Sequence, residues 1–333
     1  MASWRKERLV VRKRILSFVL LGWVLLLIGD RVDELRVYQG AQIAMYTIAL
    51  ASIVLLTGYS GQVSLGNGAM MAVGGYSAAL ALNNFKVPLW LAFIVAIAVA
   101  ALFGALLGAA AARLSGPYLA GTTLALAVGL PAIANQFAFL GGEPGLLFDV
   151  GAPPARFGEE FTQYKWFFWI ASFIALLALF VTSNILRSRF GRTWRAVRGN
   201  TLAAELAGVA SARMKILAFT VSSALAGLAG AVLGMTISLV APGAYSLALS
   251  FSLVTGAVLA GISSLPGVVF GGAILVAIPE ISDALANRLG GADKLNNYLP
   301  GLITSVLLIL SVIYTPNGPG ENLRKHLPKR AAR

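Results

Sequence analysis

The sequence predicts an all-α polytopic membrane protein of about ten transmembrane segments, some of them short or broken. Hydrophobic residues make up 58% of the 333 and charged residues only 12%, with a mean hydropathy of +0.81. That is far too little charge to cover a soluble surface. The apolar runs recur near the ~20 residues that a helix needs to cross a ~30 Å hydrocarbon core. They are continuous, without the apolar–polar alternation of barrel strands, so helices are favoured over a barrel. The chain has no cysteine. It can therefore form neither a disulfide framework nor a thiolate metal site.

The elements follow in order. MASWRKERLVVRKR, residues 1–14, is a basic cytoplasmic lead. Ile15–Gly29 reads as a retained first helix, because Asp30 to Glu34 follow it where a signal peptide would place a small-residue cleavage site. Further segments are expected at Gln39–Thr57, Leu65–Leu82, Val87–Ala112, Tyr118–Leu140, Trp166–Leu186, Ile216–Val240, Leu249–Ile262, Gly267–Leu285 and Leu299–Tyr314, with a kink at Pro131. A single membrane domain thus spans 15–314, and a basic cytoplasmic tail occupies 315–333. Two connections are long: an outer loop rich in Gly and Pro, 141–165, and an inner loop, 187–215.

Charge tests this topology. With both termini inside, 19 of the 26 Lys and Arg residues fall on the inner side, as the positive-inside rule requires. The net charge of +13 then reflects orientation and attraction to anionic lipid, and does not signal nucleic-acid binding.

A protease reading fails for want of partners. Gly58-Tyr59-Ser60-Gly61 has the form of an intramembrane serine-protease motif, but a serine nucleophile needs a base. The one histidine, His326, sits in the hydrophilic tail, and no HExxH motif offers a metal site. Glu280 and Asp283 are the acids expected inside a membrane segment. They lie three apart on one helix face. Pairing with Arg288 near the interface is favoured over a proton relay.

The stretch LTGYSGQVSLGNGAMMAVGGY (56–76) has too many glycines for an uninterrupted helix. They permit a reversal after the second segment and close packing along the third. Gln62, Ser64 and Asn67 cluster there. Irregular polar backbone at membrane depth either is buried in protein or lines a cavity, often beside a substrate path. TGAVLAGISSLPG (255–267) is a second break of the same kind. Ser64, Asn67, Thr122, Thr123 and Thr255 are the polar substrate-path candidates, each weighed against a helix–helix hydrogen bond.

The inner loop reads RSRFGRTWRAVRGNTLAAELAGVASARMK (187–215). Arg192, Arg195 and Arg198 share a helix face, and Leu202, Leu206 and Val209 form an apolar stripe on a second short helix that breaks at Gly208. Solvation alone does not call for such a stripe, so a docking element is expected.

From Gly191 onward the chain resembles LivM-type permeases, the inner-membrane subunits of branched-chain amino acid ABC importers. Their coupling loop has an Ala-Ala-Glu core followed by Gly, matched by Ala203, Ala204, Glu205 and Gly208. GYSGQVSLGNGAMMAVGGYSAALAL, RLSGPYLAGTTLAL and LAGISSLPGVVFGGAILVAIPE match in order, so the resemblance covers roughly 40–315. The lead-in from Arg195 to Asn200 lacks the acidic pair usual before the core, a departure that bears on substrate rather than family.

The resemblance implies a permease in the bacterial inner membrane that switches access when partner ATPases close. It implies two ABC ATPase subunits docked on Arg195, Arg198, Ala203, Ala204, Glu205 and Gly208, a second homologous permease and a periplasmic substrate-binding protein. No GxxxxGK[ST] occurs in the chain, so ATP and Mg²⁺ belong on the partners and no cofactor is expected here. A urea or amide permease of the same family, an ion-gradient-driven secondary transporter relying on Glu280 and Asp283, and a passive homo-oligomeric channel are the competing expectations.

Overall fold

Long runs of Leu, Ile, Val and Ala form helices here because, without water, a backbone must satisfy its own polar groups. The computed structural model describes residues 21–22, 31–114, 116–154, 157, 161–288 and scattered positions between 299 and 313. The expected segment Ile15–Gly29 lies largely, and Leu299–Tyr314 partly, outside the described residues, and the basic lead and tail lie wholly outside them.

Ten α-helices are described in chain order. They are α1 (Glu34–Ile53), α2 (Asn67–Phe85), α3 (Leu89–Ala111), α4 (Pro117–Gln136), α5 (Gln163–Arg187), α6 (Arg189–Gly199), α7 (Thr201–Leu206), α8 (Ser211–Ile237), α9 (Leu247–Ala260) and α10 (Gly267–Arg288). A π-helical turn, Val54–Tyr59, prolongs α1, and a short 3-10 turn, Pro242–Tyr245, precedes α9. Pro131 sits inside α4, and Pro279, not singled out from the sequence, inside α10. Seven helices among the described residues are long and apolar enough to cross a membrane. The Gly- and Asn-bearing α2 is not among them, although it lies buried in the bundle. The expected count of about ten is therefore a loose one.

Helices α1 and α8 form the centre. The most apolar windows of Glu34–Tyr59 and Ser211–Ile237 are each 72% buried, against 22% for Tyr118–Gln136 at the periphery. Lipid tails supply no hydrophobic drive between helices, so close van der Waals packing of small residues must hold the centre together. Ala96, Ala100, Gly104 and Gly108 recur every fourth residue on α3, all buried, and therefore share one face. They meet Ser223, Phe219 and Gly227 of α8. On α2, a Cβ at Gly74 would fall 2.2 Å from the Gly227 Cα, so the two helix backbones touch. Tyr245, fully buried, seals this contact by donating to the Gly230 carbonyl at 2.9 Å.

The ends of the bundle differ. Helices α1, α3, α5 and α9 finish, and α2, α4, α8 and α10 begin, at the end that carries α6 and α7. The opposite end holds a feature that hydropathy does not reveal, a two-stranded antiparallel ribbon. There β1 (Leu146–Leu147) from the outer loop pairs with β2 (Leu239–Val240), Leu146 facing Val240. Ser238, in the left-handed region at φ 58, turns the chain from α8 into that ribbon.

Candidate coupling site at the broken helices

The glycine-rich stretch is a helix ending followed by a short extended segment. After α1 the hydrogen bonds widen: Ser60 N–H reaches the Leu55 carbonyl, Gly61 N–H that of Thr57 and Gln62 N–H that of Leu56. This register passes over the Gly58 carbonyl. Residues 61–64 then alternate, with Gln62 and Ser64 buried and Val63 exposed, until α2 begins at Asn67.

Gln62, Ser64 and Asn67 are buried and each makes a hydrogen bond within the protein, although the Gln62 Oε1 and the Tyr76 hydroxyl of the same stretch are buried without a partner. The Gln62 amide donates to the Ser60 hydroxyl at 2.6 Å and to the Lys215 carbonyl at 3.5 Å. A neutral amide is no general base, so Ser60 has no activating partner there; His326 lies outside the described residues. The Ser64 hydroxyl accepts from Gly66 N–H at 3.2 Å. Asn67 donates to Ser52 at 2.8 Å, and the Ser222 hydroxyl donates to the Ser52 carbonyl at 2.9 Å, tying α1, α2 and α8 together. Thr123, buried on α4, accepts from Leu65 N–H at 3.0 Å and donates back to the carbonyls of Leu119 and Ala120. Thr122 is exposed and bonds the Leu119 carbonyl of its own helix. Thr255 is buried in α9. The structure thus gives Ser64, Asn67 and Thr123 tertiary or turn-forming roles. An open cavity of about 600 Å³, lined by Glu34, Tyr38, Gln163, Tyr164 and Thr236 among others, lies at the opposite end and includes none of the five.

The second break closes on the first. Helix α9 ends at Gly261, φ 87, and Ser264 N–H bonds the Gly261 carbonyl at 2.7 Å before α10 starts. A Cβ on Gly58 would lie 1.9 Å from the Ile262 carbonyl oxygen, so the two broken segments are in backbone contact. Only glycine permits this approach.

The inner loop lies beneath that contact. Ser188 caps α6 by accepting from Phe190 N–H at 3.2 Å, and Asn200 caps α7 by accepting from Ala203 N–H at 3.0 Å. Gly208, φ 83, ends α7 in the left-handed region, with Val209 N–H returning to the Ala204 carbonyl at 3.0 Å. Glu205 accepts a hydrogen bond from Ser211, which fixes α7 against the start of α8. Trp194 anchors the loop: its ring is 1% exposed and its indole N–H donates to the Met214 carbonyl at 2.9 Å. Sequence reasoning missed Trp194, although a lone tryptophan in a basic loop is a readable signal.

The candidate docking residues separate into two sets. Ala204 is buried, whereas Ala203, Glu205 and Gly208 are exposed with the apolar Leu202, 73% exposed, and Leu206, 90% exposed. Arg195 and Arg198 are exposed as well, but each also contacts the chain itself. The Arg195 guanidinium lies 5.8 Å from the centre of the Tyr59 ring. Arg198 donates to the Gly58 carbonyl and approaches the Ser263 hydroxyl at 3.3 Å. Glu280 and Asp283 are exposed on α10, and the Arg288 side chain lies outside the described residues. Among the described residues no group of three or more His, Cys, Asp and Glu could hold a metal ion.

The profile of the family described as "Branched-chain amino acid transport system / permease component" matches residues 38–312. The chain is 28% identical over 298 residues to the high-affinity branched-chain amino acid transport system permease protein LivM of Escherichia coli, covering 82% of this chain and 67% of that protein. It is 27% identical over 293 residues to the corresponding permease protein BraD of Pseudomonas aeruginosa, covering 82% and 90%. It is also 33% identical over 163 residues to the permease protein LivH of Escherichia coli, covering 49% of each chain.

Proposed function

Because the chain belongs to the family of branched-chain amino acid transport permease components, we propose that it is the membrane-spanning permease subunit of an ATP-driven importer of branched-chain or related amino acids. In this reading the protein sits in the bacterial inner membrane, α6 and α7 face the cytoplasm, and the β1–β2 ribbon faces the periplasm. Two ATPase subunits bind ATP and Mg²⁺ and dock on α7. A second, homologous permease completes the translocation path, and a periplasmic binding protein delivers substrate to the outer loops.

One observation carries the docking assignment. Helix α7 is capped at both ends and bonded to α8, yet it leaves Leu202 and Leu206 in the open. A rigid short helix with two exposed leucines beside small alanines suits a hydrophobic groove on another subunit. Motion enters through α7 because the chain has no phosphate-binding motif of its own.

The test is to purify the tagged chain from its native membranes and identify what accompanies it in stoichiometric amount. Two ATPases and a second permease are expected. A chain that leaves the membrane alone, or only with copies of itself, would overturn the reading.

A further inference from the structure

We propose that Arg198 is a positioning residue that makes both broken segments move with the coupling helices, by capping the Gly58 carbonyl while holding Ser263. The inference rests on the importer reading above. It assigns Arg198, which is exposed, the task of transmission rather than docking.

Three features converge on this side chain. The π-helical register after α1 passes over the Gly58 carbonyl, and the Arg198 guanidinium supplies the missing donor. A cation is also favoured at a helix C-terminus, where carbonyl dipoles accumulate. Next, the same guanidinium nitrogen lies 3.3 Å from the Ser263 hydroxyl in the break between α9 and α10. Gly58 and Ile262 are in backbone contact beneath it, so the two breaks form one surface. Finally, the Arg198 stem fills the space over Gly61. A Cβ there would come within 2.7 Å of the Arg198 Cγ, and Gly61 has φ +74. A side chain at Gly61 would therefore collide with the arginine stem.

Arg195, one turn earlier on α6, lies by the Tyr59 ring at the last π-helical position. A displacement of α6 therefore acts on the end of α1 at two adjacent residues. Coupling between distant sites travels through contiguous contacts of this kind. Both contacts come from one guanidinium nitrogen, whose two N–H bonds are fixed in the guanidinium plane, whereas the N–H bonds of a lysine ammonium rotate freely.

The experiment uses the complete transporter, with ATPases, second permease and binding protein, in liposomes. Leucine uptake and ATP hydrolysis are measured in the same vesicles for wild type, Arg198→Lys, Arg198→Ala, Ser263→Ala and Leu206→Ala. Both Arg198 variants are expected to raise the ATP consumed per leucine moved by about tenfold while the complex keeps its stoichiometry. Ser263→Ala should raise it by about threefold, as loss of one hydrogen bond at the second break. Leu206→Ala, on the exposed face, should lower hydrolysis and uptake together and leave their ratio unchanged. An unchanged ratio in both Arg198 variants overturns the proposal. So does loss of the ATPases from the Arg198→Lys complex, which would make this residue a docking contact. Failure of the importer reading is distinguishable, because it appears in the wild-type chain as absence of partner ATPases.

Discussion

At Gly230 a Cβ would stand 1.8 Å from the Met71 carbonyl oxygen, a clash with backbone that no rotamer can relieve. Gly230→Ala must therefore push α2 away from α8 along the seam that also holds Gly74 and Gly227. Overpacking of this kind costs roughly 1–3 kcal/mol. Thermal denaturation of the isolated chain in detergent should drop accordingly. Gly121, on the peripheral α4, has nothing within 4 Å of its would-be Cβ. There alanine has the better helix propensity by up to about 1 kcal/mol, so Gly121→Ala should leave the midpoint unchanged or raise it. Equal destabilisation at both positions would mean that seam packing does not set the cost, because helix propensity favours alanine at each. Tyr245→Phe is a gentler probe of the same seam: it keeps the ring and removes the bond to the Gly230 carbonyl. Its expected loss is about 1 kcal/mol, read as a small downward shift in the same assay.

Among the elements, α7 is where local rules and function coincide. Asn200 caps its start and Gly208 its end, so six residues hold a helical turn that could not persist alone. Leu206, 90% exposed, contributes almost nothing to the fold of this chain. Leu206→Asp should therefore leave thermal stability within about 0.5 kcal/mol of wild type. The same change should abolish co-purification of the ATPases. Retained ATPases in that variant would refute α7 as the docking helix. Spacing alone revealed this element, because the leucine stripe, the arginines at spacing three and the glycine stop are all local patterns. The two breaks were legible for the same reason, as glycine clusters interrupting apolar runs. What spacing could not reveal is that the breaks meet. The contact of Gly58 with Ile262 joins residues far apart in the chain, and no local propensity encodes it. Asn67 and Thr123 illustrate the converse. A polar residue on an apolar helix marks both a path and a tether, and only the partners, Ser52 and Leu65 N–H, separate the two. The ribbon of β1 and β2 escaped notice because two-residue strands carry no periodicity.

Taken whole, the molecule has two unlike ends, and its proposed function requires one particular orientation of them. The end bearing α6 and α7 collects Arg187, Arg189, Arg192, Arg195, Arg198, Arg213 and Lys215. The ribbon end adjoins the loop that carries Glu143 and Asp149. Cytoplasmic connections are enriched in Lys and Arg, so α7 should lie inside and the ribbon outside. The natural absence of cysteine makes this directly measurable, since any thiol introduced is the only one present. Leu147, 71% exposed on β1, and Leu206, 90% exposed on α7, mark the two ends. A membrane-impermeant maleimide should label Leu147→Cys in intact spheroplasts. It should label Leu206→Cys only after the membrane is opened. The reverse pattern would place α7 beyond the reach of any cytoplasmic ATPase. It would overturn the docking helix and the Arg198 linkage together, because both need the basic end to face the nucleotide.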